Sequence, residues 1–261
     1  MRGGLFPESG GDMDIKTQTT LPIIYEDSAV LAINKPAGIT VNKAESNATE
    51  YTVQDFLAKY LEKQLAGAED LESDFVGRAG FVHRIDKETS GVLLAAKSEQ
   101  VFTELQRQFK ERIVKKEYIA LVHGHMRPDT GEIRIPVGRL PWNRKQFGVM
   151  PGGKESVTLY AVETHYESQM GKEQFSLVRL NPETGRTHQI RVHLKYQGYP
   201  IFSDFLYAGR KTAVRDRKIL NRVFLHAAKL SFVHPVTGKR LTLESPIPEE
   251  LQQVLRALTV K

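Results

Sequence analysis

The stretch His83-Arg84-Ile85-Asp86-Lys87-Glu88-Thr89-Ser90-Gly91 runs directly into Val92-Leu93-Leu94-Ala95-Ala96. A charged turn thus sits between two segments of strand character, Phe81 to Asp86 before it and Gly91 to Lys97 after it. If Arg84 to Asp86 is extended, the side chains of Arg84 and Asp86 share one face. A carboxylate beside a guanidinium favours its charged form, which suits a nucleophile better than a general acid. The same residues would also serve as a surface ion pair at a strand end. Glu88, beyond the turn, is read as surface.

Working outward, Ile23 to Ile33 reads as a hairpin turning at Glu26-Asp27-Ser28, Asn34 to Gly38 breaks the pattern, and Ile39-Thr40-Val41 resumes it. Thr52 is placed to cap a helix with Val53, Phe56, Leu57, Tyr60 and Leu61 on one face. Lys63 to Asp74 reads as a mobile, acidic surface loop. Ser98 caps a second helix, with Val101, Leu105 and Phe109 on its buried stripe. Tyr118 to Val122 is a short apolar strand. Three Pro-x-Thr-Gly turns, starting at Pro128, Pro182 and Pro235, punctuate a sheet-rich body. Thr187 to Gln197 reads as a helix capped by Thr187 and stopped by Gly198 and Pro200, and Pro248 to Leu258 as another. No linker interrupts the chain after residue 21. The expectation is one α+β domain over 21–261 with a large mixed sheet, preceded by a flexible tail over 1–20, with Met13 an alternative start.

Composition narrows the partners. A net charge of +6 favours a polyanion, nucleic acid before an anionic membrane surface. With no cysteine, disulfides, thiolate chemistry and cysteine-ligated metals are excluded, and a reducing cytoplasm is compatible. No apolar run approaches the ~18 residues of a membrane span, and Met1 to Thr20 lacks the apolar stretch of a secretory signal. Eight histidines raise the question of a metal. Yet His123-x-His125 and the pair His188 and His193 lack a matching carboxylate set, so no metal site is expected. Pro151-Gly-Gly-Lys154 lacks the spacing of a phosphate loop, and neither a dinucleotide fingerprint nor a serine elbow is present.

Three further groups could carry chemistry. Arg186, Thr187, His188 and Gln189 surround a helix N-terminus, where free N–H groups and the helix dipole attract anions, and Arg186 adds a fork suited to phosphate. The same residues could simply be a cap with solvated charges. Arg191, one turn in, can reach a buried carboxylate. Tyr118 shares a face with small or branched Ala120 and Val122, leaving room for a flat ligand or making a core tyrosine. The stretch Arg139 to Phe147, with Trp142 and Arg144, interleaves cations and aromatics and could grip phosphates and stack bases, or lie as a solvated loop.

These groups also fall into a known order. His83 to Leu94 resembles the signature of the RluA-type pseudouridine synthases, which act on large-subunit ribosomal RNA and in some members on transfer RNA. Ile24-Tyr-Glu-Asp27 with Asn34-Lys-Pro-Ala-Gly38, Lys116 to Val122, Thr184 to His193, and Leu225 to Pro235 are similar to the family's other motifs, so the likeness covers Ile23 to about Pro246. It implies a cytoplasmic, monomeric RNA isomerase with a mostly antiparallel sheet, flanking helices and a central RNA-binding cleft. It implies Asp86 as catalytic aspartate, Tyr118 stacking on the target base and Arg191 paired with Asp86. Leu225 becomes an apolar wall of the uracil pocket, and Arg84 takes the flipped nucleotide's place. The implied chemistry has no redox or phosphoryl-transfer step and calls for no cofactor. Ile85 replaces the family's usual leucine, an apolar exchange. A small N-terminal RNA-binding domain carried by many relatives is expected to be missing.

Two rivals are weighed against this. A non-catalytic RNA-binding module would be free to lose Asp86, Tyr118 and Arg191, which are all present. A nucleoside glycosidase would want two carboxylates flanking the bond, and one is well placed.

Overall fold

A computed structural model describes residues 20–169 and 173–261. The tail expected over 1–20 lies, apart from Thr20, outside the described residues. The expected hairpin forms from Ile23–Glu26 (β1) and Val30–Lys35 (β2), closed by the Asp27 carboxylate accepting the Ala29 and Val30 amides. Thr52 caps Val53–Tyr60 (α1) in a reciprocal box with Asp55. The segment expected as a loop instead holds two short helices, Glu62–Ala66 (α2) and Asp74–Gly77 (α3). Their reason is apolar: Leu65 and Phe75 are buried in the core, and Ser73 caps the second.

Ser90–Ala96 (β3) is buried along its whole length. Before it, the strand expected over Phe81 to Asp86 shrinks to one bridge between Phe81 and Ala95. Beyond that bridge the Leu94 amide donates to the His83 ring, 3.1 Å from Nε2, rather than to a strand carbonyl. The ladder ends there and residues 82–86 run irregularly. Ser98 caps Glu99–Lys110 (α4) as expected.

Lys115–His123 (β4) leads to Thr130–Arg134 (β5), then to Val137–Leu140 (β6) and Asn143–Val149 (β7). The basic, aromatic stretch is thus a hairpin rather than a loop, with Trp142 78% exposed near its turn. Val157–Ser168 (β8) and Gln174–Pro182 (β9) are long partners. Gln189–Tyr196 (α5) and Arg210–Asp216 (α6) follow. Leu225–Val233 (β10), Arg240–Glu244 (β11), Glu249–Arg256 (α7) and Leu258–Val260 (β12) complete the chain.

Ten strands make one sheet in the order β1-β2-β3-β10-β4-β9-β8-β12, with β11 on β10 and β5 on β8. Every neighbouring pair is antiparallel except β3 with β10. The sheet backs two apolar cores. One gathers β1–β3, α1 and α4 around Leu31, Leu57, Phe75 and Leu93, and the other gathers β4, β9, α5 and α7 around Leu121, Val178, Leu194 and Phe224. Each fully buried leucine or phenylalanine contributes about 1.5–3 kcal/mol. Strand β10 belongs to both, through Ala227, Leu230 and Phe232 on one side and Leu225 and Ala228 on the other. A cleft opens at this seam.

The parallel β3–β10 contact needs Gly91. Its φ is +118°, and a Cβ there would lie 2.2 Å from the Ala227 carbonyl oxygen. Backbone cannot yield as a side chain can. Gly91→Ala is expected to cost about 3 kcal/mol or more, read as a lowered urea midpoint. An unchanged midpoint would mean that the seam tolerates a spread of the two strands.

Candidate active site

The cleft encloses about 520 Å³ and is lined by residues from the segment before β3, the end of α4, β4, the turn after β9, the start of α5, and Leu225. That volume is within the usual range of ligand sites, roughly 300–1,000 Å³. It brings together Arg84, Asp86, Tyr118, Arg186, His188, Gln189, Arg191 and Leu225 of the sequence-based candidates. The remaining candidate, Arg144, lies in β7, and its side chain is outside the described residues.

At the centre, Arg191 is 6% exposed and holds two carboxylates. Its Nη1 donates to Asp86 Oδ2 at 3.1 Å. Its Nε and Nη2 donate to the two oxygens of Asp204 at 2.7 and 2.8 Å. Burial alone would lower the guanidinium's pKa, but the two carboxylates outweigh it and the group is held charged. Asp204 is fully buried and also accepts the Leu206 and Tyr207 amides, so four hydrogen bonds fix it. The Tyr207 ring lies 5.0 Å from the Arg191 guanidinium carbon. Asp204 went unnoticed in the sequence. Its only local signal is the turn-forming run Ser203-Asp204-Phe205-Leu206-Tyr207, and its partner is thirteen residues back on a helix.

Arg84 was expected to share a face with Asp86. Both line the cleft, but the guanidinium on Asp86 is that of Arg191, and Arg84 has no ion pair among the described residues. The irregular path through residues 82–86 removes the strict alternation on which the expectation rested.

Thr187 does not cap α5. That position falls to His188, in the left-handed region at φ 56°. Strain of this kind costs of order 1–3 kcal/mol and persists where surroundings fix it. Here the His188 Nδ1 meets the Tyr207 hydroxyl at 2.8 Å, and its Nε2 lies 3.8 Å from Asp86 Oδ2. Burial pushes the imidazole below its ordinary range, with Arg191 and Arg84 adding to the effect against Asp86 and Asp204. It therefore stands beside Asp86 as a neutral ring. Gln189 lines the cleft, yet its amide is committed inside the protein, to Thr184, Arg186, Val157 and Thr158. Those bonds seat the helix.

Tyr118, on β4, has its phenol raised above the ordinary range, by burial first and by the charge of Asp86 second. It stays protonated and presents a ring to the cleft. Leu225 is buried at the same wall.

The turn carrying Asp86 is fastened from outside. Lys35 is fully buried, and its ammonium donates to the carbonyls of Pro36, Ile39 and Lys87 at 2.8, 2.8 and 3.1 Å. All three N–H bonds are used, while burial draws the amine down to about 7. The motif Asn34 to Gly38 therefore clasps the residue next to Asp86, aided by the Gly38 amide on the same Lys87 carbonyl. Glu88, expected at the surface, is a bridge: it accepts Arg217 Nη2 at 2.6 Å and the Val223 amide at 3.1 Å. Ser90 joins the buried Arg222 and His226. The Thr89 hydroxyl is buried in the cleft lining without a hydrogen-bond partner among the described residues.

Among the described residues no group of three or more potential ligands could hold a metal, and no helix is long and apolar enough to cross a membrane.

The family model described as RNA pseudouridylate synthase matches residues 29–196. The uncharacterized RNA pseudouridine synthase YlyB of Bacillus subtilis is 39% identical over 238 residues, 91% of this chain and 73% of that protein. Ribosomal large subunit pseudouridine synthase D of Neisseria meningitidis serogroup B is 37% identical over 248 residues, 92% of this chain and 62% of that one. Among solved structures, human RNA pseudouridylate synthase domain containing 1 superposes with a TM-score of 0.70 at 26% identity, covering 93% of this chain and 89% of that chain.

Two measurements probe this site. Asp204→Asn removes one carboxylate from a buried guanidinium and should lower stability by about 3–5 kcal/mol; a loss under about 1 kcal/mol in urea titrations would show that Asp86 alone can hold Arg191. The second concerns His83, whose ring accepts the Leu94 amide, stacks on Phe109 and is pushed down to about 3 by burial and by Lys116. Between its folded value and the ordinary value of about 6.5, only the unfolded chain binds this proton, so stability falls as pH falls through that window. In His83→Gln the acid limb should be flatter by about 1.4 kcal/mol per pH unit between roughly pH 6 and 4, and an unchanged slope would mean that the ring charges in the folded state.

Proposed function

Because the chain belongs to the RNA pseudouridylate synthase family, whose members are isomerases acting on RNA, we propose that Asp86 is its catalytic carboxylate and that its substrate is a uridine of large-subunit ribosomal RNA, with transfer RNA the next choice. The observation that carries the assignment is how Asp86 is held. Both of its close contacts, Arg191 at 3.1 Å and His188 at 3.8 Å, fall on Oδ2. Oδ1 has no protein partner among the described residues and is left for a substrate. The basic surplus of the chain and the names of the ribosomal relatives support the choice of RNA.

The target uridine leaves its stack, which costs a few kcal/mol and least in a loop or bulge. Arg84, which has no ion pair or side-chain hydrogen bond among the described residues, takes the vacated place, while Arg186 holds phosphate. Uracil enters against Tyr118 and Leu225. Asp86 promotes rupture of N1–C1′, by attack at C1′ or by taking a ribose proton. The detached base turns, C5 bonds to C1′ as the bond from Asp86 to C1′ breaks or the ribose proton returns, the C5 proton leaves, and N1 gains a proton. Atoms and electrons balance within the nucleotide, so nothing is oxidised or reduced. Tyr118 is a poor base for the C5 proton because its phenol is held protonated, which leaves Asp86 the better acceptor.

Tritium release from RNA labelled at uridine C5 tests this. Wild type should release label from large-subunit ribosomal RNA, and Asp86→Asn should bind that RNA and release none. Arg191→Ala should keep most of the binding and lose turnover by at least about 100-fold. Release by Asp86→Asn at the wild-type rate would remove Asp86 from the chemistry.

A further inference from the structure

The cleft extends past Tyr118 to a second, cationic end, of which the proposed function uses Arg186 alone. Lys116 and Tyr118 are two residues apart on β4 and so stand on one face, ~7 Å apart, about one nucleotide's reach. Arg112 arrives from the other side. Helix α4 ends at Lys110 with Glu111 as its cap, and Arg112 takes the left-handed region at φ 61°, which turns the chain into the cleft wall. Arg186 closes the third side from the turn after β9.

These cations are not neutralised by the protein. Among the described residues none of Arg112, Lys116 and Arg186 has a carboxylate within ion-pair distance. Arg112 has no side-chain hydrogen bond, Arg186 Nε donates to the Glu155 carbonyl at 3.3 Å, and Lys116 Nζ donates to the Thr184 carbonyl at 3.2 Å. Three acidic residues are close in sequence: Glu111 pairs with Arg107, Glu117 faces Arg179, and Glu183, which also lines the cleft, is in no ion pair with the three cations. Solvated surface cations usually spread apart. Here a half-buried ammonium is set among like charges with one of three donors used.

We infer that Arg112, Lys116 and Arg186 form a phosphate subsite that takes a backbone phosphate flanking the uridine held against Tyr118. The inference rests on the proposed reading of the cleft as a uridine site. It adds Arg112 and Lys116 as binding residues and gives the tyrosine strand a second task. Burial, with Arg112, Lys115 and Arg186 nearby, brings the Lys116 amine down to about 8. An arriving phosphodiester anion supplies counter-charge and acceptors, and the amine is held charged in the complex.

Uridine 3′,5′-bisphosphate and plain uridine are the probes, titrated at low salt by NMR, and no turnover is needed. Wild type should bind the bisphosphate more tightly than uridine. Lys116→Met and Arg112→Met should each cut that advantage about tenfold and leave uridine binding alone, while Lys116→Arg keeps most of it. Lys59→Met, an exposed cation on α1, should leave the advantage intact. Should Lys116→Met fail to fold, Arg112→Met decides, since that residue is exposed and has no ion pair or side-chain hydrogen bond among the described residues. No advantage in wild type, its retention in both methionine variants, or an equal loss in Lys59→Met would overturn the subsite. Failure of the uridine reading shows separately, as absent tritium release together with no binding of uridine itself.

Discussion

One buried guanidinium organises this protein. Arg191 gives two donors to Asp204 and one to Asp86, and it can do so only because α5, the turn at residues 203–207 and the segment before β3 converge on it. A cation taken out of water needs near-complete compensation. Asp204 supplies most of it and is itself fixed by two backbone amides. Asp86 can then be held by a single bond. Tyr207 extends the arrangement: it lies against the guanidinium, its hydroxyl meets His188, and it accepts the Phe147 amide of the β6–β7 hairpin. The basic hairpin and the carboxylate are therefore parts of one connected structure.

The second constraint is the seam between the two cores. A carboxylate on a regular strand would have its backbone locked into the ladder and its side chain directed by the pleat. Here the ladder stops at Phe81, and the irregular turn is held by side chains instead: Lys35 on the Lys87 carbonyl, Glu88 on Arg217 and Val223, and Ser90 on Arg222 and His226. These partners come from both halves of the sheet. The turn thus reports the relative placement of the two cores, and the parallel β3–β10 contact through Gly91 sets that placement.

Much of this was legible in the residues. The hairpin, the two capped helices and the strand of Tyr118 follow from local rules, because caps, turns and periodicity act within a few residues. The misreadings share a cause. The strand over 81–86 failed because a histidine ring eleven residues from Leu94 took the amide that a strand partner would have taken. Thr187 lost the cap because Gln189 is anchored to β8, thirty residues away. Asp204 and the bridging role of Glu88 depend on partners far along the chain. The RluA-type resemblance supplied the grouping of Asp86, Tyr118, Arg191 and Leu225, and the structure places all four on one cleft.

The two carboxylates on Arg191 also show how one cation can serve opposite purposes. Asp204 spends both oxygens on protein donors, four bonds in all, and is fully buried. That is the condition of a structural anion, for which any loss is costly and any reaction is blocked. Asp86 spends one oxygen, is partly exposed, and faces a neutral imidazole rather than a second cation. A charged imidazole there would put a second cation on Oδ2 beside Arg191. The arginine thus holds the carboxylate in place through Oδ2, the uncharged histidine stands beside that same oxygen, and Oδ1 keeps no hydrogen-bond partner among the described residues.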